Sequence, residues 1–164
     1  MADWNELKAL AEHVGGTLRD RKETIAVVET SAGGLICAAL LSVPGASRFM
    51  RGGAVPYSRW TRDGLLNIDP MEMEGIRSSS EPYAALLAKT VKLRSQTDWG
   101  LSETGAAGPG GNSYGDDAGH TCVGIAGAVS LTRTLETASD DREANMFAFG
   151  IEALTLLKDA LDAS

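Results

Sequence analysis

Residues 24–41 read TIAVVETSAGGLICAALL, and this stretch decides the fold. The run Thr24–Val28 is short and rich in β-branched residues, which is typical of a strand buried on both faces. The apolar sequence stops at Glu29–Gly34, where two glycines predict a turn, and it resumes at Leu35–Leu41 as a helix. A buried strand that leads through a glycine turn into a helix is the building unit of α/β proteins.

The rest of the chain continues this alternation of strands and helices. Asp3, followed by Glu6 at capping-box spacing, predicts the start of a first helix. We predict four further strands, over Gly52–Tyr57, Trp99–Thr104, Thr121–Ser130 and Leu131–Thr137. We also predict three further helices: a short one over Ser58–Leu66, one capped by Ser80, and a last helix that starts at Asp140. We expect a single domain over residues 1–164, of the α/β class, with helices on both faces of a mixed sheet.

The composition argues against a nucleic-acid-binding protein. The formal net charge is −7 and the isoelectric point is about 4.8, and no run of lysine or arginine forms a basic stripe. A nucleic-acid surface needs such a stripe to neutralise phosphates. We therefore expect no nucleic-acid partner.

Cysteine and histidine are scarce. Cys37 and Cys122 lie far apart and neither has zinc-type spacing, while only His13 and His120 could assist. We expect two buried, reduced thiols, and neither a metal site nor a cofactor. The N-terminal sequence lacks the apolar core of a signal peptide and no stretch is long enough to cross a bilayer, so we expect a cytoplasmic protein without membrane association.

Three glycine-rich or hydroxyl-rich loops, Glu29–Gly34, Gly45–Tyr57 and Gly105–Gly111, stand out, and we expect each to follow a strand. Ligands of open α/β sheets bind at the carboxyl ends of strands, so we expect these loops to converge on one pocket. The first loop has hydroxyl groups before two glycines and a helix, a pattern that suits a phosphate or an oxyanion. A simple strand-to-helix turn explains the same pattern. His120, near the end of the third loop, is expected at the surface.

These loops, in this order, resemble the CinA C-terminal domain family. The similarity covers nearly the whole chain and rests on the segments Glu29-Thr-Ser-Ala-Gly-Gly34, Pro44-Gly-Ala-Ser47, Gly52-Gly53, Tyr57-Ser58, Gly105-Ala-Ala-Gly-Pro109, Val123-Gly124 and Arg142. The resemblance implies a three-layer α/β/α domain that is usually oligomeric. It also implies an amidohydrolase that converts nicotinamide mononucleotide to nicotinic acid mononucleotide and ammonia, with a serine nucleophile, a lysine base and a nearby tyrosine.

At the family's catalytic positions this chain has different residues. Thr30 stands where the family has serine and Arg62 where it has lysine, while Tyr57 matches the pattern and Ser31 supplies a second hydroxyl. The resemblance therefore implies Thr30, Ser31, Tyr57 and Arg62 as catalytic candidates. It implies as substrate-binding candidates Glu29, Gly33, Gly34, Ser47, Gly105, Ala107, Gly108 and Arg142. The loop after Pro109 is also longer than is usual in the family.

Arg62 decides between the functional hypotheses. A guanidinium is protonated at every physiological pH, so it binds phosphate or carboxylate well but cannot accept a proton as a base. One hypothesis is an amidohydrolase acting on a small nucleotide or carboxamide. The alternative is a non-catalytic nucleotide-binding or phosphate-binding protein, and a third is an oligomeric scaffold. The sequence leaves open whether Thr30 or Ser31 faces the pocket, since side chains alternate at a strand end.

Overall fold

The computed structural model describes residues 2–164. Its strands are β1 (Ile25–Glu29), β2 (Met50–Ala54), β3 (Trp99–Ala106), β4 (His120–Ala126) and β5 (Ser130–Glu136). Its helices are α1 (Trp4–Arg21), α2 (Leu35–Leu41), α3 (Arg59–Thr61), α4 (Glu81–Ser95) and α5 (Arg142–Asp162). A π-helical turn over Arg62–Leu66 extends α3, and 3-10 turns lie at Ala46–Arg48 and Pro70–Met73.

The five strands form one sheet in the order β2-β1-β3-β4-β5. Strands β2, β1 and β3 are parallel, and β3, β4 and β5 are antiparallel, so the sheet is mixed as predicted. In the central pair Glu29 lies opposite Glu103. Because β1 and β3 are parallel, their carboxyl ends and the loops that follow lie at the same edge.

Helices cover both faces of the sheet, which makes a single α/β domain of three layers. On one face α1, α2 and α5 pack over a core that includes Val27, Leu101 and Phe149. On the other face α4 and the segment after α3 pack on Ala26 and Val28. All five residues of β1 are buried, which explains its continuous apolar sequence.

Several predicted boundaries and the expected burial of Cys37 were wrong. The second strand is Met50–Ala54 and not Gly52–Tyr57, because it is an edge strand whose pairing ends before Pro56, which lacks a donor. The last helix is capped by Asp141, whose side chain accepts from the Ala144 amide, and not by Asp140. Strand β4 ends at Ala126 and not at Ser130, because a turn follows it. Cys37 is only partly buried, whereas Cys122 is buried as expected, and both are free thiols.

Over residues 2–164, none of the helices has the length and apolarity that crossing a membrane would require.

Candidate functional site

A cavity of about 360 Å³ opens at the carboxyl edge of β1 and β3. Thr30 enters it from the end of β1, and Thr104 and Gly105 enter it from β3. The remaining lining residues come from the α3 region, from α4 and the segment before it, and from the loop before β4. They are Tyr57, Ser58, Arg59, Arg62, Ser78, Ser79, Tyr83 and Tyr114. The lining is therefore rich in hydroxyl groups and carries two guanidinium groups.

The two adjacent hydroxyls of the first loop have different surroundings. Thr30 lines the cavity, whereas Ser31 is buried and its hydroxyl is hydrogen bonded to the Glu103 carboxyl group. Glu103 also accepts from the amides of Thr30, at 3.0 Å, and Ala32, at 2.8 Å, and from the Thr121 hydroxyl at 2.9 Å. Thr30 is thus the hydroxyl that can meet a ligand, and Ser31 belongs to the support beneath the loop.

Glu103 is a fully buried acid. Burial raises its pKa, and the neighbouring Glu29 charge adds to the rise, while hydrogen bonds from Ser31 and its neighbours offset part of it. The raised pKa favours the protonated side chain inside the protein. Glu103 is accordingly a buried group that fixes the loop backbone from below.

At the amino end of α2 and in the first loop, carboxyl groups of the protein itself accept from backbone amides. The Glu29 carboxylate accepts from the amides of Ile36, at 3.0 Å, and Cys37, at 2.8 Å. Since Thr30 and Ala32 donate to Glu103, the protein's own carboxyl groups occupy these four amides. Glu29 is therefore placed as the cap of α2 and lies outside the cavity lining.

Glycine is required at two points of this edge for different reasons. Gly34 has a φ of +102°, a conformation that other residues adopt only with strain, and it begins α2. A Cβ atom on Gly105 would lie 2.3 Å from the His120 carbonyl oxygen across the strand pair. Gly33 and Gly34 shape the turn, whereas Gly105 itself lines the cavity.

Tyr57 and Arg142 are held together at the rim. Arg142 donates through Nη2 to the Tyr57 hydroxyl at 3.1 Å and through Nη1 to the Gly108 carbonyl at 2.5 Å. Tyr57 lines the cavity and is largely exposed, while Arg142 supports it from behind. Ala107 is buried, and its carbonyl oxygen accepts from the Asn145 side-chain amide. Ser47 is exposed and does not line the cavity.

Arg62 lies against Tyr83 and Asp63. Its Nε donates to Asp63 Oδ1 at 2.8 Å. Burial would lower the pKa of Arg62, but the hydrogen bond with Asp63 and the neighbouring phenol outweigh it, so the pKa is raised. Burial raises the pKa of Tyr83, although the positive charge of Arg62 acts in the opposite direction. Neither group is therefore suited to accept a proton near neutral pH.

His120 is buried, and the expectation that it lies at the surface was wrong. Its Nδ1 is 2.5 Å from Glu136 Oε1 and its Nε2 is 2.9 Å from the Ser79 carbonyl oxygen. Burial would lower the pKa of His120, but these two partners outweigh it and the pKa is raised. The ring joins β4 to β5 and to the segment that carries Ser78 and Ser79 into the cavity.

The raised pKa of His120 predicts a pH-dependent contribution to stability. A base whose pKa rises on folding stabilises the fold fully below its unfolded pKa, about 6.5, and loses that contribution as pH rises through the folded value. We expect the difference in thermal midpoint between wild type and His120→Gln to shrink as pH rises through this range. A difference that stays constant from mildly acidic to alkaline pH would contradict a protonated His120.

Sequence reasoning missed several residues of the site. Tyr83 lies in α4, where its ring is buried, and its side chain also reaches the cavity lining. Glu103 lies within a predicted strand, and a buried acidic residue needs hydrogen-bonding partners, so its position could have indicated a buried polar network. Arg59, Ser78, Ser79, Thr104 and Tyr114 come together only through the fold.

A family model described as the CinA C-terminal domain matches residues 7–161. The chain belongs to the CinA C-terminal domain family. It is 39% identical over 150 residues to a CinA-like protein of Chlorobaculum tepidum, a match that covers 88% of this chain and 36% of the relative. It is 41% identical over 117 residues to a CinA-like protein of Synechocystis sp., with 71% of this chain and 28% of the relative covered. The chain thus spans about a third of the length of these relatives.

The solved structures that resemble this CinA C-terminal domain share its fold. The crystal structure of a competence-damaged protein (CinA) superfamily protein from Escherichia coli superposes with a TM-score of 0.88. It is 22% identical and the match covers 98% of this chain and 93% of that chain. In this CinA C-terminal domain the three family positions Thr30, Tyr57 and Arg62 line one cavity.

Proposed function

We propose that the cavity binds a small phosphorylated molecule of the nicotinamide mononucleotide class. The observation that carries this proposal is the lining itself. Arg59 and Arg62 stand among hydroxyl groups, and the described lining has no carboxylate, imidazole or amine. A guanidinium fork matches the oxygens of a phosphate, and the hydroxyls supply further hydrogen bonds. The volume is at the small end of the range for ligand sites, about 300–1,000 Å³.

Hydrolysis of a carboxamide is the second candidate, and the position of Thr30 in the cavity favours it. In that reaction the Thr30 hydroxyl oxygen attacks the carboxamide carbon, its proton moves to a base, and the departing nitrogen takes up a proton and leaves as ammonia. Water then hydrolyses the acyl-threonine ester, which releases the carboxylic acid and restores the Thr30 hydroxyl. Arg62 stays charged and the Tyr83 pKa is raised, so neither is suited to take the first proton. The lining side chains are thus better equipped for binding than for turnover.

An ammonia-release assay with nicotinamide mononucleotide separates the two candidates. We expect no turnover by the wild-type protein, because the lining has no carboxylate, imidazole or amine that could accept the proton, and an active relative of the family is the positive control. The double variant Thr30→Ser/Arg62→Lys restores the serine and lysine of the family, and we expect it to release ammonia. Turnover by the wild type that Thr30→Ala abolishes would overturn the binding-only proposal and support hydrolysis.

Family membership also leads us to propose that the chain forms a homo-oligomer. Light scattering of the purified protein measures this directly. A mass equal to one chain across a range of concentrations would contradict it.

A further inference from the structure

Tyr114 stands at the edge of the cavity on a loop that is held unusually firmly. The side chain is half-exposed and lines the same cavity as Arg59 and Arg62. The loop that carries it, residues 110–119, lies between the glycine segment after β3 and the start of β4. An exposed tyrosine on a surface loop is common and by itself needs no explanation. The local bonding of this loop is what sets Tyr114 apart.

Asn112 and Asp116 close the loop around Tyr114. The Asn112 Oδ1 atom accepts from the amides of Tyr114, at 3.0 Å, and Asp116, at 3.1 Å. The Asn112 amide donates to the Asp116 carbonyl at 3.0 Å, and its side-chain amide donates to the Asp116 carboxylate at 2.8 Å. These four hydrogen bonds fix the backbone on both sides of the tyrosine.

Arg77 fastens this loop to the opposite wall of the cavity. Its Nη1 and Nη2 atoms donate to the two Asp116 carboxylate oxygens at 2.7 and 2.9 Å. The same Nη1 also lies 3.1 and 3.2 Å from the carbonyl oxygens of Ser78 and Ser79. The guanidinium carbon lies 5.7 Å from the centroid of the Tyr114 ring, so Arg77 covers part of one side of the aromatic group. Tyr114 is therefore placed in a fixed orientation before any ligand arrives.

We infer that Tyr114 is a specificity-determining residue, an aromatic platform on which a planar ring of the ligand stacks while Arg59 and Arg62 hold its anionic group. This inference rests on the proposed binding function. A pre-ordered aromatic side chain stacks without further loss of conformational freedom, and stacking tolerates any planar ring because every such ring has a π face. The loop thereby selects phosphate esters that carry a planar aromatic ring over sugar phosphates that lack one.

Calorimetric titrations with nicotinamide mononucleotide and with ribose 5-phosphate test the inference. The two probes share a ribose phosphate and differ in the ring. We expect Tyr114→Ala to weaken binding of the mononucleotide by about tenfold to a hundredfold, with ribose 5-phosphate changed by less than about twofold. Tyr114→Phe keeps the π face, so we expect it to bind the mononucleotide as the wild type does. Thermal melting checks that each variant folds, since the exposed side chain contributes little to the core.

The outcomes separate this inference from the function on which it rests. Equal weakening of both probes by Tyr114→Ala, or no change in either, overturns the platform and leaves phosphate binding standing. Loss of mononucleotide affinity in Tyr114→Phe as large as in Tyr114→Ala also overturns it, because the phenol hydroxyl would then be the contact. Wild-type protein that binds neither probe overturns the proposed function and this inference together.

Discussion

Replacement of Glu103 by alanine is expected to destabilise the protein by about 2–5 kcal/mol, because it leaves buried hydrogen-bonding groups without a partner. The change removes the acceptor for the amides of Thr30 and Ala32 and the hydrogen-bonding partner of the Ser31 and Thr121 hydroxyls. All of these groups are at the carboxyl edge of the sheet, where Glu103 is fully buried. Chemical denaturation measures the loss, which is large against typical stabilities of about 5–15 kcal/mol.

Glu103→Gln is the matched control. Glu103 accepts from two amides through one oxygen and from two hydroxyls through the other. The glutamine oxygen accepts from the same amides and its NH₂ group donates to the hydroxyls. We therefore expect Glu103→Gln to cost less than about 1.5 kcal/mol. A cost as large as that of alanine would mean that the charged carboxylate is the stable form.

The direction of the Glu103 pKa shift determines how the stability of the protein depends on pH. For an acid whose pKa is raised by folding, the fold favours the protonated form, so stability is greatest below the ordinary glutamate pKa of about 4.3 and falls as pH rises toward the folded value. Glu103→Gln removes this component. The variant should therefore gain stability relative to wild type as pH increases from acidic to neutral, and a constant difference would contradict the raised pKa.

Replacement of Arg62 by glutamine is expected to weaken binding of nicotinamide mononucleotide by about tenfold to a hundredfold, because a charged hydrogen-bonding partner of the phosphate is lost. Arg48→Gln removes the same charge from an exposed position outside the cavity, and it is the control for net charge. Fluorescence or calorimetric titration gives both affinities. Equal losses of affinity from the two substitutions would mean that the net charge of the protein, and not a contact with Arg62 in the cavity, attracts the ligand.

Salt provides an independent check on the role of Arg62. Interactions between partly exposed charges are screened over about 10 Å at 0.1 M ionic strength. The advantage of wild type over Arg62→Gln should therefore decrease as sodium chloride is added.

The fold could be predicted from the sequence where one local pattern determined an element. Sequence alone predicts the β-branched strand β1, the two glycines after it and the apolar helix α2, because burial and turn geometry act within a few residues. The boundary of β2 was misplaced because Gly52 and Gly53 look like the start of a strand, whereas pairing with β1 already begins at Met50. Such register depends on the neighbouring strand, which no local pattern contains.

The site was less accessible to prediction than the fold. Family positions pointed to Thr30, Tyr57 and Arg62, and these do line one cavity. The roles of Glu29 and Glu103 could not be predicted, because each carboxyl group accepts from backbone amides that only folding brings close to it. Tyr114 depends on contacts between Arg77 and Asp116, which are 39 residues apart, so its place in the cavity follows only from tertiary structure.

The family resemblance implies a lysine at the position of Arg62, and the proposed function depends on this difference. Arginine keeps the positive charge that attracts a phosphate and removes the neutral amine that could take a proton. Thr30 keeps a hydroxyl in the cavity, and Glu103 and Glu29 keep the loop and α2 in place. We therefore propose a site that binds a phosphorylated ligand and lacks the base that a lysine would supply.

A calorimetric titration of the wild-type protein with nicotinamide mononucleotide at low ionic strength tests this account most directly. The account predicts saturable binding of one molecule per chain, with no release of ammonia from the same sample. Absence of binding at millimolar ligand would contradict it.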